Sequence, residues 1–137
     1  MKESNVMRSR ALARLIVLGA LFCGSAVMLG AFGAHALKTV LSPSQLLTFE
    51  VGVRYQMYHG LALLILPSLT AHIPVVWIKR AGICFAFGCL LFSGSLYALV
   101  ATGVKWFGPI TPLGGLLFIA GWTMIVIGVF MRNRMGK

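Results

Sequence analysis

The sequence predicts an all-α integral membrane protein whose helices form a four-helix up-down-up-down bundle with both termini cytoplasmic. The first observation is composition: 59% of the 137 residues are hydrophobic, 10% are charged and the mean hydropathy is +0.94. A soluble domain usually has about 25% charged residues. The second observation is four apolar runs, each long enough to cross a hydrocarbon layer of about 30 Å. Residues 1–137 are therefore expected to form a single membrane domain.

The placement of basic residues predicts the orientation of this bundle. The chain has 12 Lys and Arg residues, two acidic residues and a net charge of +10. Nine basic residues fall in three regions that four spans would place on one side: Lys2, Arg8, Arg10, Arg14, Lys79, Arg80, Arg132, Arg134 and Lys137. The positive-inside rule makes that side cytoplasmic, where anionic lipid headgroups are the expected partners. The sequence lacks a basic groove with interleaved aromatic residues, which argues against nucleic acid as a partner.

The first two helices are expected over about residues 12–37 and 43–70. The basic start, the apolar run and the sequence Ala34-His35-Ala36 also imitate a signal peptide with a cleavage site. However, a run of about 20 uncharged residues is a full crossing, so an uncleaved helix is favoured. The start of the second helix is marked by Ser42, Pro43 and Gln45, which fit a capping box with proline at the first helical position. Pro67 marks a kink or an end.

The last two helices are expected over about residues 75–101 and 111–130. Trp77 and Trp106 are expected to lie at opposite membrane interfaces, as tryptophan often does. Pro109 marks the turn between these helices. Because all the links are short, neighbouring helices must run antiparallel.

Small residues at regular spacing predict where helices pack closely. Pairs four residues apart are Ala20 with Gly24, Gly30 with Ala34, Gly82 with Ala86, and Gly94 with Ala98. In the fourth helix Gly114, Gly121 and Gly128 repeat every seven residues along one stripe. Membrane helices associate through such surfaces because their backbones can approach closely there. The surfaces either join helices within one chain, which we favour, or form the interface of a homo-oligomer.

The polar side chains that interrupt the apolar runs all fall near the outer end of the predicted bundle. They are His35, Tyr55, Gln56, His59, Ser93, Ser95, Tyr97 and Thr111. The first and third helices run outward and the second and fourth begin outside, so four helices bring polar groups to a similar depth. Gln56 and His59 are three residues apart and share a helix face. We call these eight residues the candidate polar pocket.

Two interpretations of the candidate polar pocket remain open. Polar groups in hydrocarbon must be satisfied, so the side chains could simply join helices through hydrogen bonds. Polar residues at membrane depth also mark binding or transport sites. Catalysis would need a reactive group with a positioned base, and His59 beside Ser93 or Tyr97 is the candidate pair. We favour the structural interpretation and expect no enzymatic activity.

No cofactor or metal is expected to bind. The histidines show no His-x-x-x-His spacing and no nearby acidic partner of the kind that would indicate haem or a transition metal. Cys23, Cys84 and Cys89 all lie inside apolar runs, where thiols usually serve as small packing residues.

Five groups of residues carry a resemblance to a known family. They are Leu29–His35, Tyr55-Gln56 with His59, Leu91–Tyr97, Thr111-Pro112 with Gly114-Gly115, and Ala120–Trp122. In this order they resemble a family of small bacterial inner-membrane proteins of unknown function that includes YgdD and YwdK. The resemblance implies four spans and a location in the bacterial plasma membrane, and it carries over no catalytic or ligand residues. We therefore expect a non-enzymatic structural or envelope-supporting component, with a small transporter or ligand-binding protein as the alternative.

Overall fold

Four long α-helices make up the structure, which is a computed structural model and describes residues 2–135. Helix α1 spans Lys2–His35, α2 spans Pro43–Ile65, α3 spans Val75–Thr102 and α4 spans Ile110–Met135. Short 3-10 helices occupy the links at Leu37–Thr39, Leu66–Ala71 and Lys105–Phe107. The described residues contain no β-strand, and the predicted all-α class is confirmed.

The ends of α2 follow from local chemistry. The Ser42 hydroxyl accepts a hydrogen bond from the Gln45 N–H at 3.4 Å, and the Gln45 side-chain oxygen accepts one from the Ser42 N–H at 3.0 Å. This is the predicted capping box, with Pro43 in the first turn. At the other end, α2 stops at Ile65 and the chain continues as a 3-10 helix around Pro67. Proline has no N–H to continue the α-helical pattern, so α2 ends before the expected residue 70.

The contacts between helices define the topology. Helix α2 packs mainly between α1 and α3. Gly33 packs against Phe49 and Cys23 against Gly60, so residue numbers rise along α1 as they fall along α2. Helices α2 and α3 are related in the same way, as are α3 and α4. The structure is therefore an up-down-up-down bundle.

Several of the predicted small-residue surfaces lie inside the bundle. Gly82 on α3 lies against Leu15 of α1, and Gly121 on α4 lies against Phe85. A methyl group added to Gly121 would come within 2.5 Å of the Phe85 ring. In contrast, a methyl group added to Gly24 on α1 would meet nothing within 4 Å. The glycine stripe of α4 thus serves packing within one chain, whereas Gly24 faces open space.

The two ends of the bundle differ in charge. One end, which we call the basic end, carries Arg14, Lys79, Arg80, Arg132 and Arg134, while Lys137 lies outside the described residues. The opposite end, which we call the distal end, carries the links Leu37–Thr39 and Lys105–Phe107. The apolar core lies toward the basic end and includes Leu15, Leu63, Leu66, Ile73, Ile78, Ala81, Phe85 and Phe118.

Three segments of the described chain are long and apolar enough to cross a bilayer. They are Val6–Thr39, Val75–Thr102 and Lys105–Arg134. Helix α2 is not among them, and it carries Glu50, Arg54 and the buried polar residues Gln56 and His59. The long helix that does not meet this criterion therefore lies between two that do, and polar contacts are concentrated along it.

Candidate functional site

Gln56 joins three helices through its side-chain amide. Its nitrogen donates to the Ser25 hydroxyl at 2.7 Å and to the Phe22 carbonyl oxygen at 3.0 Å, both on α1. Its oxygen accepts a hydrogen bond from the Tyr97 hydroxyl on α3 at 2.9 Å. Both amide protons and one oxygen lone pair are thereby used. With only 6% of its surface exposed, Gln56 fixes the relative positions of α1, α2 and α3.

A second hydrogen bond joins α2 and α3 through Ser93 and Gly52. The buried Ser93 hydroxyl donates to the Gly52 carbonyl oxygen at 2.7 Å. The Tyr97 ring lies directly over Gly52, and a methyl group there would come within 2.7 Å of a ring carbon. Glycine is therefore required at residue 52 for the tyrosine to reach Gln56.

His59 makes one hydrogen bond through each ring nitrogen. Nδ1 lies 2.8 Å from the Tyr55 carbonyl oxygen, and the indole nitrogen of Trp122 on α4 lies 3.2 Å from Nε2. An indole N–H can only donate and a carbonyl oxygen can only accept. These partners assign a neutral ring that carries its proton on Nδ1 and accepts at Nε2. Protonation of Nε2 would break the contact with α4.

Aromatic rings fill the space between α2 and α4 around His59. The His59 ring stacks on Phe118 with a centroid distance of 3.4 Å and an interplanar angle of 6°. Tyr55 stacks on Phe92 at 4.5 Å, and Trp122 contacts Phe85 at 4.9 Å. Flat faces of this kind bring large apolar area together. The histidine is thus enclosed by rings.

Ser95, Thr111 and His35 of the candidate polar pocket lie apart from Gln56 and His59. The Ser95 and Thr111 hydroxyls are 2.7 Å apart and link α3 to α4. Ser95 also lines a lateral cleft of about 340 Å³ with Leu90, Leu91, Gly94, Phe107 and Ile110. Tyr55 is 40% exposed and contributes its ring, while His35 is exposed at the end of α1. The structure therefore divides the predicted set into separate contacts and leaves His35 outside them.

Two side chains that pair with the polar residues of α2 are absent from the set predicted from the sequence. Ser25 interrupts the apolar run of α1, and that interruption was the signal that could have identified it. Trp122 belongs to the resembling segment Ala120–Trp122, and an indole in a membrane helix is more often an interfacial anchor than a hydrogen-bond partner within a bundle. Both turn out to be partners of the α2 polar residues.

The hydrogen-bonding groups that a catalytic site would need are already paired within the protein. Both nitrogens of His59 are occupied, the Ser93 proton points to a backbone carbonyl, and the Tyr97 proton points to Gln56. Neither hydroxyl of the candidate pairs is hydrogen-bonded to the histidine. Among the described residues, no buried side-chain nitrogen or oxygen lacks a hydrogen-bond partner. The polar groups are paired with one another and with the backbone.

Comparison with known proteins places the chain among uncharacterised membrane proteins. A family model described as "Protein of unknown function (DUF423)" matches residues 29–115. The UPF0382 membrane protein SSP2132 of Staphylococcus saprophyticus is 50% identical over 117 residues, which cover 84% of this chain and 95% of that protein. The UPF0382 membrane protein YwdK of Bacillus subtilis is 43% identical over 113 residues, covering 82% of this chain and 92% of that protein. No solved structure matches the chain.

Proposed function

Because the chain belongs to the DUF423 family of bacterial membrane proteins, whose function is unknown, we propose that it is a non-enzymatic structural component of the plasma membrane that supports the envelope. The observation that carries this proposal is the use of Gln56 to join three helices. A transport or catalytic site keeps polar groups available for a ligand. Here they hold helices together.

The proposal includes a topology of four spans with both termini in the cytoplasm. Helix α2 runs antiparallel between α1 and α3, so it must cross the bilayer if they do. The basic end then faces the cytoplasm, where its Arg and Lys side chains meet anionic headgroups. In a variant whose three cysteines are replaced by alanine, we expect an impermeant thiol reagent outside intact cells to label Lys105→Cys. Lys79→Cys should stay unlabelled, and the reverse pattern would invert the topology.

Water access to the polar residues tests the structural role directly. Cys89 lies one turn before Ser93 on α3 and is 2% exposed. With Cys23 and Cys84 replaced by alanine, we expect Cys89 to react with an impermeant thiol reagent only after denaturation. The Lys105→Cys variant provides the reactive control at the distal end. Rapid labelling of Cys89 in the intact protein would indicate a water path and contradict a purely structural role.

A second candidate function, small-molecule binding or transport, is favoured by the cleft beside Ser95. The cleft opens sideways, and a methyl group added to Gly94 within it would meet nothing within 4 Å. A water-filled cleft would allow an impermeant reagent to label Gly94→Cys in the variant without native cysteines. Labelling by a lipid-soluble maleimide alone would indicate that acyl chains occupy the cleft, which supports the structural role.

A further inference from the structure

One face of α2 points away from the rest of the bundle. Its exposed side chains recur at spacings of three and four residues: Leu47, Glu50, Arg54, Tyr58, Leu61 and Ile65. We call this set the outward face of α2. The opposite face carries the buried residues Phe49, Gly52, Gln56, His59, Gly60 and Leu63. Since α2 has 3.6 residues per turn, the outward face is one continuous stripe along the helix.

The charged residues of the outward face lie well inside the bundle in depth. Gly52 is level with Ser93, which precedes the end of α3 at Thr102 by nine residues, or about 13 Å. Arg54 lies two residues beyond Gly52 and is therefore about 3 Å deeper. Glu50 is about one turn nearer the distal end. If α2 crosses the bilayer, as proposed above, both side chains start within the hydrocarbon region.

Charged side chains at this depth are unusual unless something covers them. Ionisable residues in membrane helices almost always face the protein interior, a water-filled cavity or one another, because exposure of a charge to lipid is costly. Glu50 and Arg54 are both exposed on the isolated chain. Glu50 is also one of only two acidic residues in the chain, the other being Glu3. A charge pair on the outside of the bundle thus suggests a protein partner.

We propose that the outward face of α2 is the interface of a homodimer. Two chains inserted with the same topology are related by a twofold axis along the membrane normal, so the same surface meets itself. The two copies of α2 then run parallel with equal residues at equal depth. Glu50 of each chain lies about one turn nearer the distal end than Arg54 of the partner subunit. Helical side chains lean toward the N-terminus of their helix, which for α2 is at the distal end. Each arginine therefore leans toward the level of the opposite glutamate.

A second copy fits this surface better than a different partner because the charges are complementary to themselves. One negative and one positive residue on a twofold interface give two equal ion pairs with no charge left over. Nearer the basic end, Leu61 and Ile65, which are 46% and 56% exposed, supply an apolar continuation of the seam. A lipid headgroup would not complement both charges. It stays at the membrane interface, so only the arginine side chain would extend to it.

Charge exchange between two tagged copies tests the proposed interface. The two copies carry different tags, are co-expressed and are extracted in a mild detergent. The protein is purified through the first tag, and recovery is the amount of the second tag that is purified with it. E50K paired with itself, or R54E paired with itself, places like charges opposite each other and should lower recovery about tenfold relative to the unmodified chain. E50K paired with R54E restores opposite charges across the interface and should restore recovery. A salt bridge confined to one chain predicts no such restoration.

Matched controls separate this interface from general charge effects and from the open glycine surface. Pairing E50K with K105E gives the same net charge as the restoring pair, but Lys105 lies off the outward face. This combination keeps only one of the two Glu50–Arg54 ion pairs, so recovery should stay below that of the restoring pair. Gly24→Leu should leave recovery unchanged. Failure of the unmodified copies to co-purify, absence of restoration, or loss through Gly24→Leu alone would each overturn the proposal.

Disulfide cross-linking provides a second measurement should the charge variants fail to accumulate. In the variant without native cysteines, Tyr58→Cys and Leu61→Cys should form cross-linked dimers in native membranes, and Gly24→Cys should not. Cross-linking of Gly24→Cys alone would place the interface on α1. The labelling of Lys105→Cys and Lys79→Cys does not depend on dimerisation, so a wrong topology and a wrong interface give different results.

Discussion

Removal of one hydroxyl group at Tyr97 should weaken the joint between α2 and α3. The hydroxyl donates to Gln56 at 2.9 Å, while the ring packs against Phe49 with a centroid distance of 5.1 Å. Tyr97→Phe therefore deletes the hydrogen bond and keeps the ring. Gln56→Leu keeps most of the side-chain volume but deletes three hydrogen bonds to α1 and α3. The double variant closes a cycle that isolates the shared bond.

The expected magnitudes follow from the number of bonds that each variant loses. Interhelical hydrogen bonds in membranes contribute about 0.6 kcal/mol on average and at most about 1.7 kcal/mol. Tyr97→Phe loses one bond and leaves the buried Gln56 oxygen without a partner, so the free energy of unfolding should fall by about 1 kcal/mol. Gln56→Leu loses three bonds, which gives about 2 kcal/mol. The double variant should lose about the same 2 kcal/mol, because the shared bond is already absent.

The measurement is reversible unfolding in mixed micelles of a mild and a denaturing detergent, followed by tryptophan fluorescence. Thr123→Ala is the matched control, since the exposed Thr123 hydroxyl donates only to the carbonyl oxygen of Ile119 on its own helix, at 2.8 Å. Its effect should stay within about 0.5 kcal/mol. Strictly additive losses for Tyr97 and Gln56 would refute the inference that their contact joins the helices.

The remaining predictions concern single residues. Thermal unfolding in detergent measures the histidine and serine variants, and the amount of protein that accumulates in the membrane measures the glycine variants. His59→Ala should lower the free energy of unfolding by about 2–3 kcal/mol, because it removes a stacked ring and two hydrogen bonds, whereas the exposed His35→Ala should cost less than about 0.5 kcal/mol; equal small losses would argue against a structural role for the polar residues. Gly121→Leu should prevent stable accumulation, since even a methyl group would reach the Phe85 ring, while Gly24→Leu accumulates normally; equal accumulation would contradict the packing. Ser42→Ala should cost about 1 kcal/mol through loss of the α2 cap, and an unchanged transition would show that the cap is dispensable.

The depth of the polar residues could be predicted from the sequence, but their partners could not. Depth follows from counting residues along antiparallel helices with short links, and Gln56 does meet Tyr97. Partners depend on how each helix is rotated, which hydropathy does not determine. His59 is paired with Trp122 rather than with Ser93 or Tyr97 because the long indole side chain bridges α4 and α2.

Helix rotation also explains why His35 stays outside these contacts. Successive residues of an α-helix are about 100° apart, so residues two positions apart point to nearly opposite sides. Gly33 is buried against Phe49, and His35 is therefore turned outward. Helix α1 also begins earlier than expected, at Lys2 rather than near residue 12. The basic segment lacks proline and glycine, so nothing in it stops a helix.

The polar contacts of α2 select its rotation, which the burial of leucine side chains alone cannot do in a membrane. Leucine is solvated equally well by lipid tails and by other leucines, so, apart from the close contacts at glycines, burial of apolar side chains selects neither a register nor a rotation of α2. Gln56 has partners on both α1 and α3, and only one rotation of α2 satisfies them together. That same rotation turns Glu50 and Arg54 away from the bundle. The hydrogen bonds that fix the fold thus also fix which face of α2 is available to a second chain, and the proposed dimer interface would therefore depend on Gln56, a residue that lies outside it.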